Sequence, residues 1–465
     1  MIPTPDIGSL SAAERAALIK MLMARVAALE ARVAALAAEN AALRAENAAL
    51  RDKLKLPPKT PDNSSTPPSR GQKSSAEARS QRKRKAHPGR HRPLHPNPTR
   101  KRDVLAEQCP HCRTDVSGVM QGPKEAYDRI EIPEIKPDVT RVILHGGLCP
   151  CCAKTFKAPP PAGLEPGSPF GPNLRAFVLY LRAAHAVSYE RLARLMSDLL
   201  GLEISEGALV NIMGDSRPAF ARQMEAIRQR LLSSTILQSD ETSARVGKRT
   251  WWTWVFHHAD SACFVIEPSR GKIVVEKFLG THRPAFWVSD RLAAQMGWAT
   301  KEHQVCLAHL LRDAQYAIDA GDTAFAPPLR KLLGQACAMG RRRHRLADAT
   351  LRAYAAKLEA RLDALLRIEP AHPQGEKFRR VIKKYRQHLF VFVTNRAIPP
   401  TNNGSEQALR PCVIFRKITN CFRAEWAAKL YADIRSVFET ARRRSIPIIH
   451  AIRQTLEGLP LTAGP

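Results

Sequence analysis

The stretch from Thr235 to His309 constrains the fold most, because it alternates short strand-like runs with helical ones. Its runs of β-branched and aromatic residues predict strands, since Gly, Pro and charged residues bound them. The predicted strands are Thr235–Ser239, Trp251–His257, Ala262–Glu267, Ala285–Ser289 and Gln304–Leu307. Short links predict an antiparallel meander of three strands, and helical connections, the first over Gly271–Leu279, then add parallel strands. The stretch therefore predicts a mixed α/β sheet.

Three acidic residues are candidates for a metal site beside this sheet. Asp240 closes the run ILQSD, Asp290 closes AFWVSD, and ligands gather at the carboxyl ends of strands in open α/β sheets. Either aspartate alone is more readily explained as a turn residue. Glu406 follows a polar turn at the start of a helix that Pro411 is expected to keep short. Because a glutamate there is ordinarily exposed, its assignment depends on the two aspartates.

The charge of the chain points to a polyanionic partner. The formal net charge is +30, and neutralising phosphates releases counterions, so nucleic acid is the leading candidate. A membrane surface is the alternative, but no apolar run approaches the roughly 18–20 residues that span a bilayer. The N-terminus lacks a secretion signal, and C-x-x-C pairs among the ten cysteines favour a reducing compartment. We expect a cytoplasmic, nucleoid-associated protein that binds DNA and no membrane.

A heptad pattern over residues 10–56 predicts a coiled coil that dimerises the protein. Leucine recurs at every seventh residue, at Leu22, Leu29, Leu36, Leu43 and Leu50. With leucine at d, the a positions hold Ile19, Val26, Val33, Asn40, Asn47 and Leu54. β-Branched residues at a and leucine at d favour a parallel homodimer, and the asparagines would fix its register. The alternative is a solitary alanine-rich helix, which gains little from such leucines.

Two modules are expected after this helix. Residues 57–104 are rich in Pro, Ser, Lys and Arg, which predicts a disordered basic linker that either separates domains or holds DNA phosphates. Residues 105–158 carry two C-x-x-C motifs, which predict a structural Zn²⁺ site of four thiolates. Its ligands would be Cys109, Cys112, Cys149 and Cys152, although Cys151 is a spare thiol and buried or redox thiols without metal are the alternative. Between them, YDRIEIPEI and DVTRVILHG alternate like the strands of a hairpin.

Helical patterns dominate the remaining segments. Residues 170–232 are predicted to be helical, with a helix-turn-helix over Val187–Met213 whose second helix either reads DNA or simply packs. A helical insertion is expected at about 314–395, followed by a C-terminal helical segment over 426–465. The cluster FRRVIKKYRQH (Phe378–His388) combines cations with Phe378 and Tyr385, so it is a candidate for contact with a DNA backbone, and a solvated helix face is the alternative.

Nearly the whole chain resembles the bacterial DDE transposases of the insertion sequence 66 family. The most specific motifs are SDET (Ser239–Thr242), WVSD (Trp287–Asp290), CLAHLLRD (Cys306–Asp313) and TNNGSEQALRP (Thr401–Pro411), and the linker contains NSSTPPS (Asn63–Ser69). The resemblance implies a multidomain α/β protein whose RNase H-like catalytic domain covers 233–425. It also implies that Asp240, Asp290 and Glu406 form the metal-binding triad. Gln407 stands where the family usually has Arg, which puts the neighbouring phosphate contact in doubt. For Cys306 and His309, which match a C-x-x-H feature of several DDE transposases, we expect a structural role.

The chemistry expected from such a triad is phosphodiester cleavage followed by strand transfer. Two Mg²⁺ (or Mn²⁺) ions about 3.5–4 Å apart would activate the attacking oxygen and stabilise the leaving one. Water would first free a 3′-hydroxyl at a transposon end, and that hydroxyl would then attack target DNA. The partners would be transposon ends, target DNA, a second copy of the chain and, as candidates, companion transposition proteins.

Two other functions compete with transposition. One is a catalytically inactive DNA-binding regulator or accessory subunit, and the presence of all three acids argues against it. The other is a nuclease of the same fold that cleaves without joining strands, against which the dimerisation helix argues because it suits pairing of two DNA ends.

Overall fold

The structure is a computed structural model that describes residues 11–64 and 92–462, with the backbone alone described for residues 48–55. These residues form two compact units. One unit takes its described residues from Met1–Gln72 and Arg283–Gly404, and the other takes them from Lys73–His282 and Ser405–Pro465. Most of the predicted basic linker, residues 65–91, lies outside the described residues.

The described residues contain one long N-terminal helix, strands in their middle part, and helices from Pro172 onwards. The helices are α1 (Ala12–Lys55), α2 (Pro172–Ala184), α3 (Tyr189–Leu200), α4 (Glu206–Asp215), α5 (Arg217–Leu232), α6 (Lys272–Leu279), α7 (Leu307–Asp319), α8 (Ala326–Arg342), α9 (Asp348–Leu366), α10 (Pro373–Tyr385), α11 (Val391–Thr394), α12 (Asn403–Thr419), α13 (Glu425–Arg443) and α14 (Ile448–Leu456). The strands are β1 (Gly146–Leu148), β2 (Thr155–Lys157), β3 (Ile236–Val246), β4 (Arg249–His258), β5 (Ser261–Glu267), β6 (Phe286–Ser289) and β7 (Glu302–Val305). None of the described helices is both long enough and apolar enough to cross a bilayer.

Helix α1 covers nearly all of the predicted heptad segment, in 44 residues. It begins with a capping box, in which Ser11 Oγ accepts a hydrogen bond from the Glu14 backbone N–H at 3.3 Å. In return, the Glu14 carboxylate accepts one from the Ser11 N–H at 2.8 Å. Four heptad leucines with described side chains are about half exposed: Leu22, Leu29, Leu36 and Leu43. The single long helix is confirmed, and its pairing with a second copy stays a prediction.

The chain just after α1 packs on α7, within the same unit. The Asn63 side chain donates to Asp319 Oδ2 at 3.0 Å and accepts from the Thr60 N–H at 2.7 Å. Lys59 Nζ lies 5.8 Å from the centre of the Tyr316 ring. Asn63 is only 5% exposed, so the first residues of the predicted linker are anchored. No local pattern predicts this contact, because it joins residues 256 positions apart.

In the first unit, β6 and β7 pair in parallel, as expected, with Ser289 opposite Val305. The connection between them contains only a 3₁₀ turn, Ala293–Gln295, so the predicted second helical connection is wrong. Gly297, with a φ of 83°, follows this turn and lets the chain reverse within a few residues. Helices α7 to α11 then occupy the predicted insertion.

The second unit begins with the cysteine-containing module. Strands β1 and β2 pair antiparallel on either side of the second C-x-x-C. The hairpin expected between the two motifs is wrong, because YDRIEIPEI and DVTRVILHG contain no described strand apart from the start of β1. Their apolar residues are largely exposed, with Tyr127 at 82% and Ile132 at 75%. An alternating pattern specifies a strand only when one face is buried, and here neither segment finds such a face.

Helices α2 to α5 follow, with the helical hairpin at the predicted place. Gly201 adopts a φ of 59° at the end of α3, and Ser205 caps α4 by accepting from the Ala208 N–H at 3.2 Å. The apolar side chains of α2, α3 and α4 form one buried cluster that includes Val178, Leu192, Met196, Ile204, Leu209 and Ile212. The helix-turn-helix geometry therefore has its own core.

The antiparallel meander is confirmed as β3, β4 and β5. β3 is longer than expected, because it runs on to Val246 and turns into β4 through a tight turn at Gly247, whose φ is 57°. Asp240 therefore lies in the middle of β3, and its prediction as a strand-ending residue is wrong. The charged run after Asp240 resembled a loop, but hairpin pairing with β4 keeps it extended.

Both faces of the meander are covered. On one face, Phe256 of β4 stacks on Phe278 of α6 with ring centroids 3.9 Å apart. On the other, Val255 and Phe264 pack in a cluster with residues of α12 and α13. α12 passes straight through Pro411, so the expectation that this proline ends the helix is wrong. The proline removes only the hydrogen bond to the carbonyl of exposed Gln407, while Ala408, Leu409 and Cys412 remain buried.

Helix α13 also satisfies backbone groups of strand β5. Ser436 Oγ accepts from the Phe264 N–H at 2.8 Å, and Thr440 Oγ1 accepts from the Ala262 N–H at 3.1 Å. The Thr440 hydroxyl in turn donates to the Ala262 carbonyl at 3.2 Å. Serine and threonine four residues apart lie on one helix face, which is how one helix reaches both positions. These hydroxyls replace the partner strand that β5 lacks on this side.

Ser436→Ala is expected to destabilise the second unit by about 1–3 kcal/mol, because the buried Phe264 N–H would lose its acceptor. Urea unfolding followed by circular dichroism measures this change. Ser233→Ala, which removes an exposed hydroxyl, is the matched control and should unfold like the wild type. Equal stability of the two variants would contradict the role assigned to Ser436.

Candidate metal and catalytic site

Asp240 lies in the middle of β3, which forms a hairpin with β4. It pairs with Val255 of β4, and its Oδ1 accepts a hydrogen bond from the Glu241 N–H at 2.9 Å. Asp240 is half-buried, so it is partly shielded by the protein and partly accessible to solvent. A carboxylate in this position has a fixed backbone and an accessible side chain, as a metal ligand requires.

Glu241 is a second acid at this position that the sequence analysis did not single out. Asp240 and Glu241 each offer a carboxylate oxygen within 4.8 Å of the other. The Glu241 side chain is 2% exposed and pairs with Arg270 at 2.7 Å. The Arg270 guanidinium lies 4.6 Å from the centre of the Trp252 ring. The motif SDET places Glu241 directly after Asp240, so the sequence could have identified this second acid. Its ion-pair partner Arg270 is distant in sequence and could not be identified in this way.

Asp290 directly follows β6, as predicted, and its main chain and side chain are both held. Ser289 Oγ donates to the Asp290 carbonyl at 2.8 Å. Asp290 Oδ1 accepts from the Leu292 N–H at 2.8 Å. The neighbouring Arg291 forms an ion pair with Asp313 of α7. The half-buried Asp290 carboxylate therefore has a defined direction.

A buried histidine lies behind Asp290. His303 of β7 is 4% exposed, and its Nε2 lies 3.0 Å from Ser289 Oγ. Burial lowers the pKa of His303 to about 3, so the imidazole is neutral at physiological pH. His388 Nδ1 lies 3.1 Å from the His303 carbonyl, so His388 contacts the main chain of His303.

Glu406 lies in the first turn of α12, half-buried, directly after the fully buried Ser405. Ser405 Oγ lies 2.8 Å from Nε2 of His257 on β4. Burial, together with nearby Arg443, keeps the pKa of His257 well below its ordinary value. Among the described residues, no three metal-binding side chains that include Glu406 lie within 4.8 Å of one another. Asp240 and Glu406 belong to the second unit and Asp290 to the first.

Cys306 has a packing role. It is fully buried between β7 and α7, and its Sγ accepts a hydrogen bond from the Asn402 N–H at 3.1 Å. The next residue, Leu307, donates its N–H to the Pro400 carbonyl at 3.0 Å. These bonds hold the polar segment before Glu406 against the start of α7. This geometry fits the structural role expected for Cys306.

The two C-x-x-C motifs fold into matching turns. In the first, the Arg113 N–H donates to the Cys109 carbonyl at 2.8 Å and the Cys109 N–H donates to Thr114 at 2.9 Å. In the second, Ala153 and Lys154 make the same two bonds with Cys149, each at 2.9 Å. Arg113 and Ala153 both have a positive φ, of 63° and 55°. Such a conformation at non-glycine residues is uncommon, so its repetition marks a specific turn.

Within each turn the first and last cysteines approach each other. Hydrogen bonds from Thr114 and from the Cys109 side chain lower the pKa of the Cys112 thiol. Hydrogen bonds from the Cys152 backbone and side chain lower the pKa of Cys149. Each pair is brought together, but the four cysteines do not form one cluster among the described residues.

The predicted DNA-contacting helices differ in charge. α4, the second helix of the hairpin, contains no Lys or Arg, and its exposed side chains include Glu206 and Asp215. α10 carries three exposed lysines: Lys377, Lys383 and Lys384. Tyr385 Oη donates to the Arg291 carbonyl at 3.4 Å, so α10 ends beside the residue that follows Asp290. Phe378 is 4% exposed, so its buried side chain is not accessible for contact with DNA.

Comparison with known proteins gives one clear result. The profile of the Transposase IS66 family matches residues 167–430, more than half of the chain. The matched region contains Asp240, Asp290 and Glu406. A comparison with curated protein sequences finds no match.

Proposed function

Because the chain belongs to the Transposase IS66 family, we propose that it is a DNA transposase that cleaves transposon ends and joins them to target DNA. The family match is the observation that carries this proposal, since it spans all three candidate acids. In this proposal Asp240, Asp290 and Glu406 together bind Mg²⁺ or Mn²⁺. The catalytic domain would have the RNase H-like fold, for which the parallel and antiparallel strand pairs provide support.

The residues fit hard divalent cations. All three acids are half-buried carboxylates, and oxygen ligands of this kind suit Mg²⁺ and Mn²⁺. Metal bound there would lower the charge on the reacting phosphate and assist the attacking and leaving oxygens. The chain's own contribution is to fix the ligands, as the Leu292 N–H does for one oxygen of Asp290. Ion pairing of Glu241 with Arg270 limits the excess of negative charge around Asp240.

DNA would be held mainly through its phosphates. The net charge of +30 supports this, and the lysines of α10 lie on the helix that ends next to Arg291. The acidic exposed face of α4 would repel a phosphate backbone, so α10 is the better candidate for DNA contact. A catalytically inactive regulator is not favoured, because each acid keeps a defined, half-buried position.

Asp290→Ala is expected to reduce cleavage of a labelled transposon-end duplex to background, because a metal ligand is lost while DNA binding remains. Wild type should nick the duplex only with Mg²⁺ or Mn²⁺, and EDTA should stop the reaction. Asp348→Ala is the matched control, since Asp348 is an exposed acid of the same unit that pairs with Arg396. End binding without cleavage by wild type, under both metals and with companion proteins supplied, would sink the enzyme proposal.

We also propose that the cysteine module binds one structural Zn²⁺ through Cys109, Cys112, Cys149 and Cys152. The two matching turns support this, because each brings its two cysteines together and lowers the pKa of one thiol of the pair, Cys112 in the first turn and Cys149 in the second. The contacts of Cys149 involve the Cys152 side chain and only the backbone of Cys151. These contacts favour Cys152 over Cys151 as the proposed fourth ligand.

Cys152→Ser is therefore expected to lose zinc, because three thiolates hold the ion much more weakly than four. The zinc content of the purified full chain, measured by inductively coupled plasma mass spectrometry, checks this. Cys151→Ser is the matched control and should keep the zinc of the wild type. The assignment fails if the two variants behave in the opposite way, or if wild type contains no zinc after purification with zinc supplied.

Dimerisation through α1 is the remaining part of the proposal. The exposed leucines of α1 would be buried against a second copy, with Asn40 pairing to set the register. Burying a leucine contributes about 1.5–3 kcal/mol, so several of them would hold two copies together. A dimer would bring two transposon ends into one complex, as joining requires.

Leu29→Glu, at a d position, is expected to convert the dimer into monomers, because opposed glutamates would be buried in the coiled coil. Light scattering coupled to size-exclusion chromatography of the full chain gives the mass. Ala31→Glu introduces the same charge on the outer face of α1 and should leave the dimer intact. Monomeric wild type at micromolar concentration would contradict dimerisation through α1.

A further inference from the structure

Two of the three candidate metal-binding acids are preceded by a buried serine that contacts a buried histidine. Ser289 precedes Asp290 and contacts His303, and Ser405 precedes Glu406 and contacts His257. Both serines are fully buried, and the two histidines are 4% and 1% exposed. These pairs come from different segments of the chain, so the repetition is not a consequence of sequence proximity.

The direction of the hydrogen bonds can be assigned for the first pair. A serine hydroxyl has one proton, and that of Ser289 goes to the Asp290 carbonyl at 2.8 Å. His303 must therefore donate its Nε2–H to Ser289 Oγ. Its Nδ1 is buried without a hydrogen-bond partner, which agrees with a proton on Nε2 only. The result is a directed chain from His303 through Ser289 to the main chain of Asp290.

The second pair has the same chemistry. The Nδ1 of His257 is also buried without a hydrogen-bond partner, so its proton belongs on Nε2, facing Ser405 Oγ. Ser405 lies in the first turn of α12, one residue before Glu406. A bond from β4 at this position fixes the start of the helix that carries Glu406.

We propose that His303 and His257 are positioning residues, which hold Asp290 and Glu406 in place for metal binding through Ser289 and Ser405. This inference rests on the proposed function, since it concerns the same metal site. Carboxylates that converge on one site repel one another, and metal binding is favoured when their backbone is already held in position. Neutral imidazoles fix the backbone beside the carboxylates through hydrogen bonds and add no charge to the site.

The test measures Mn²⁺ binding to the full chain by isothermal titration calorimetry, with metal-dependent end cleavage as a second readout. His303→Leu and Ser289→Ala are expected to raise the Mn²⁺ Kd by about tenfold, the lower end of the range for groups behind a metal ligand. His303→Gln places an amide N–H where Nε2–H was, so it should recover most of the affinity. The cleavage rate should need correspondingly more Mn²⁺ in the first two variants.

Matched controls separate positioning from folding. Thr440→Val removes two buried hydrogen bonds from the edge of β5 and should lower the unfolding temperature without changing the Mn²⁺ Kd. If His303→Leu does not fold, Ser289→Ala, which deletes a single oxygen, decides the question for Asp290. For Glu406, the comparison is His257→Leu with His257→Gln.

The outcomes distinguish this inference from the function on which it rests. If wild type binds Mn²⁺ and cleaves, Asp290→Ala does neither, and the histidine and serine variants match wild type, the positioning role is overturned while the transposase proposal stands. If wild type neither binds Mn²⁺ nor cleaves, the metal site itself is refuted, and the positioning role with it. Weakened binding in His303→Leu with recovery in His303→Gln supports the positioning role.

Discussion

Strand β4 is the element on which the second unit and two of the candidate acids depend. Its side chains Trp254, Val255 and Phe256 are fully buried, which places one face of the strand against α6 and the other against α12 and α13. Asp240 sits opposite Val255 in the hairpin, while His257, two residues further along, reaches Ser405. A single rigid strand therefore sets the backbone before Glu406 and beside Asp240. Rigid elements position ligands more accurately than loops do.

Electrostatics explains why such support is needed. Carboxylates in one site repel one another, and in a partly buried environment this repulsion is stronger than in water. At the proposed metal site, fixed dipoles and cations would offset this repulsion. Leu292 donates its N–H to Asp290, and Arg270 neutralises Glu241. The histidines behind Ser289 and Ser405 remain neutral, so they provide direction without changing the net charge. The orientation of the carboxylates and the net charge around them are thus set by different residues.

The segments proposed to bind a second copy or zinc, helix α1 and the cysteine module, differ from the α/β sheet in that their key side chains are exposed. The leucines of α1 and the thiols of Cys112 and Cys152 are exposed, and the proposed second copy and zinc ion would cover them. By contrast, Asn63 ties the end of the α1 segment to Asp319 of α7. In the proposed dimer, this anchor would restrict how far apart the two copies of the first unit can be.

The sequence by itself determined the long helix, the meander and the helical hairpin, and it marked the three candidate acids. These features are local, because hydrophobic period, turn residues and short motifs carry them. Tertiary structure alone decided that β3 continues past Asp240, that α12 passes through Pro411, and that YDRIEIPEI is not a strand. It alone showed Arg270 beside Glu241, His303 behind Ser289 and His257 behind Ser405. The physical reason is that hairpin pairing, burial of a helix face and buried hydrogen bonds join residues whose separation leaves no periodic signal in the chain.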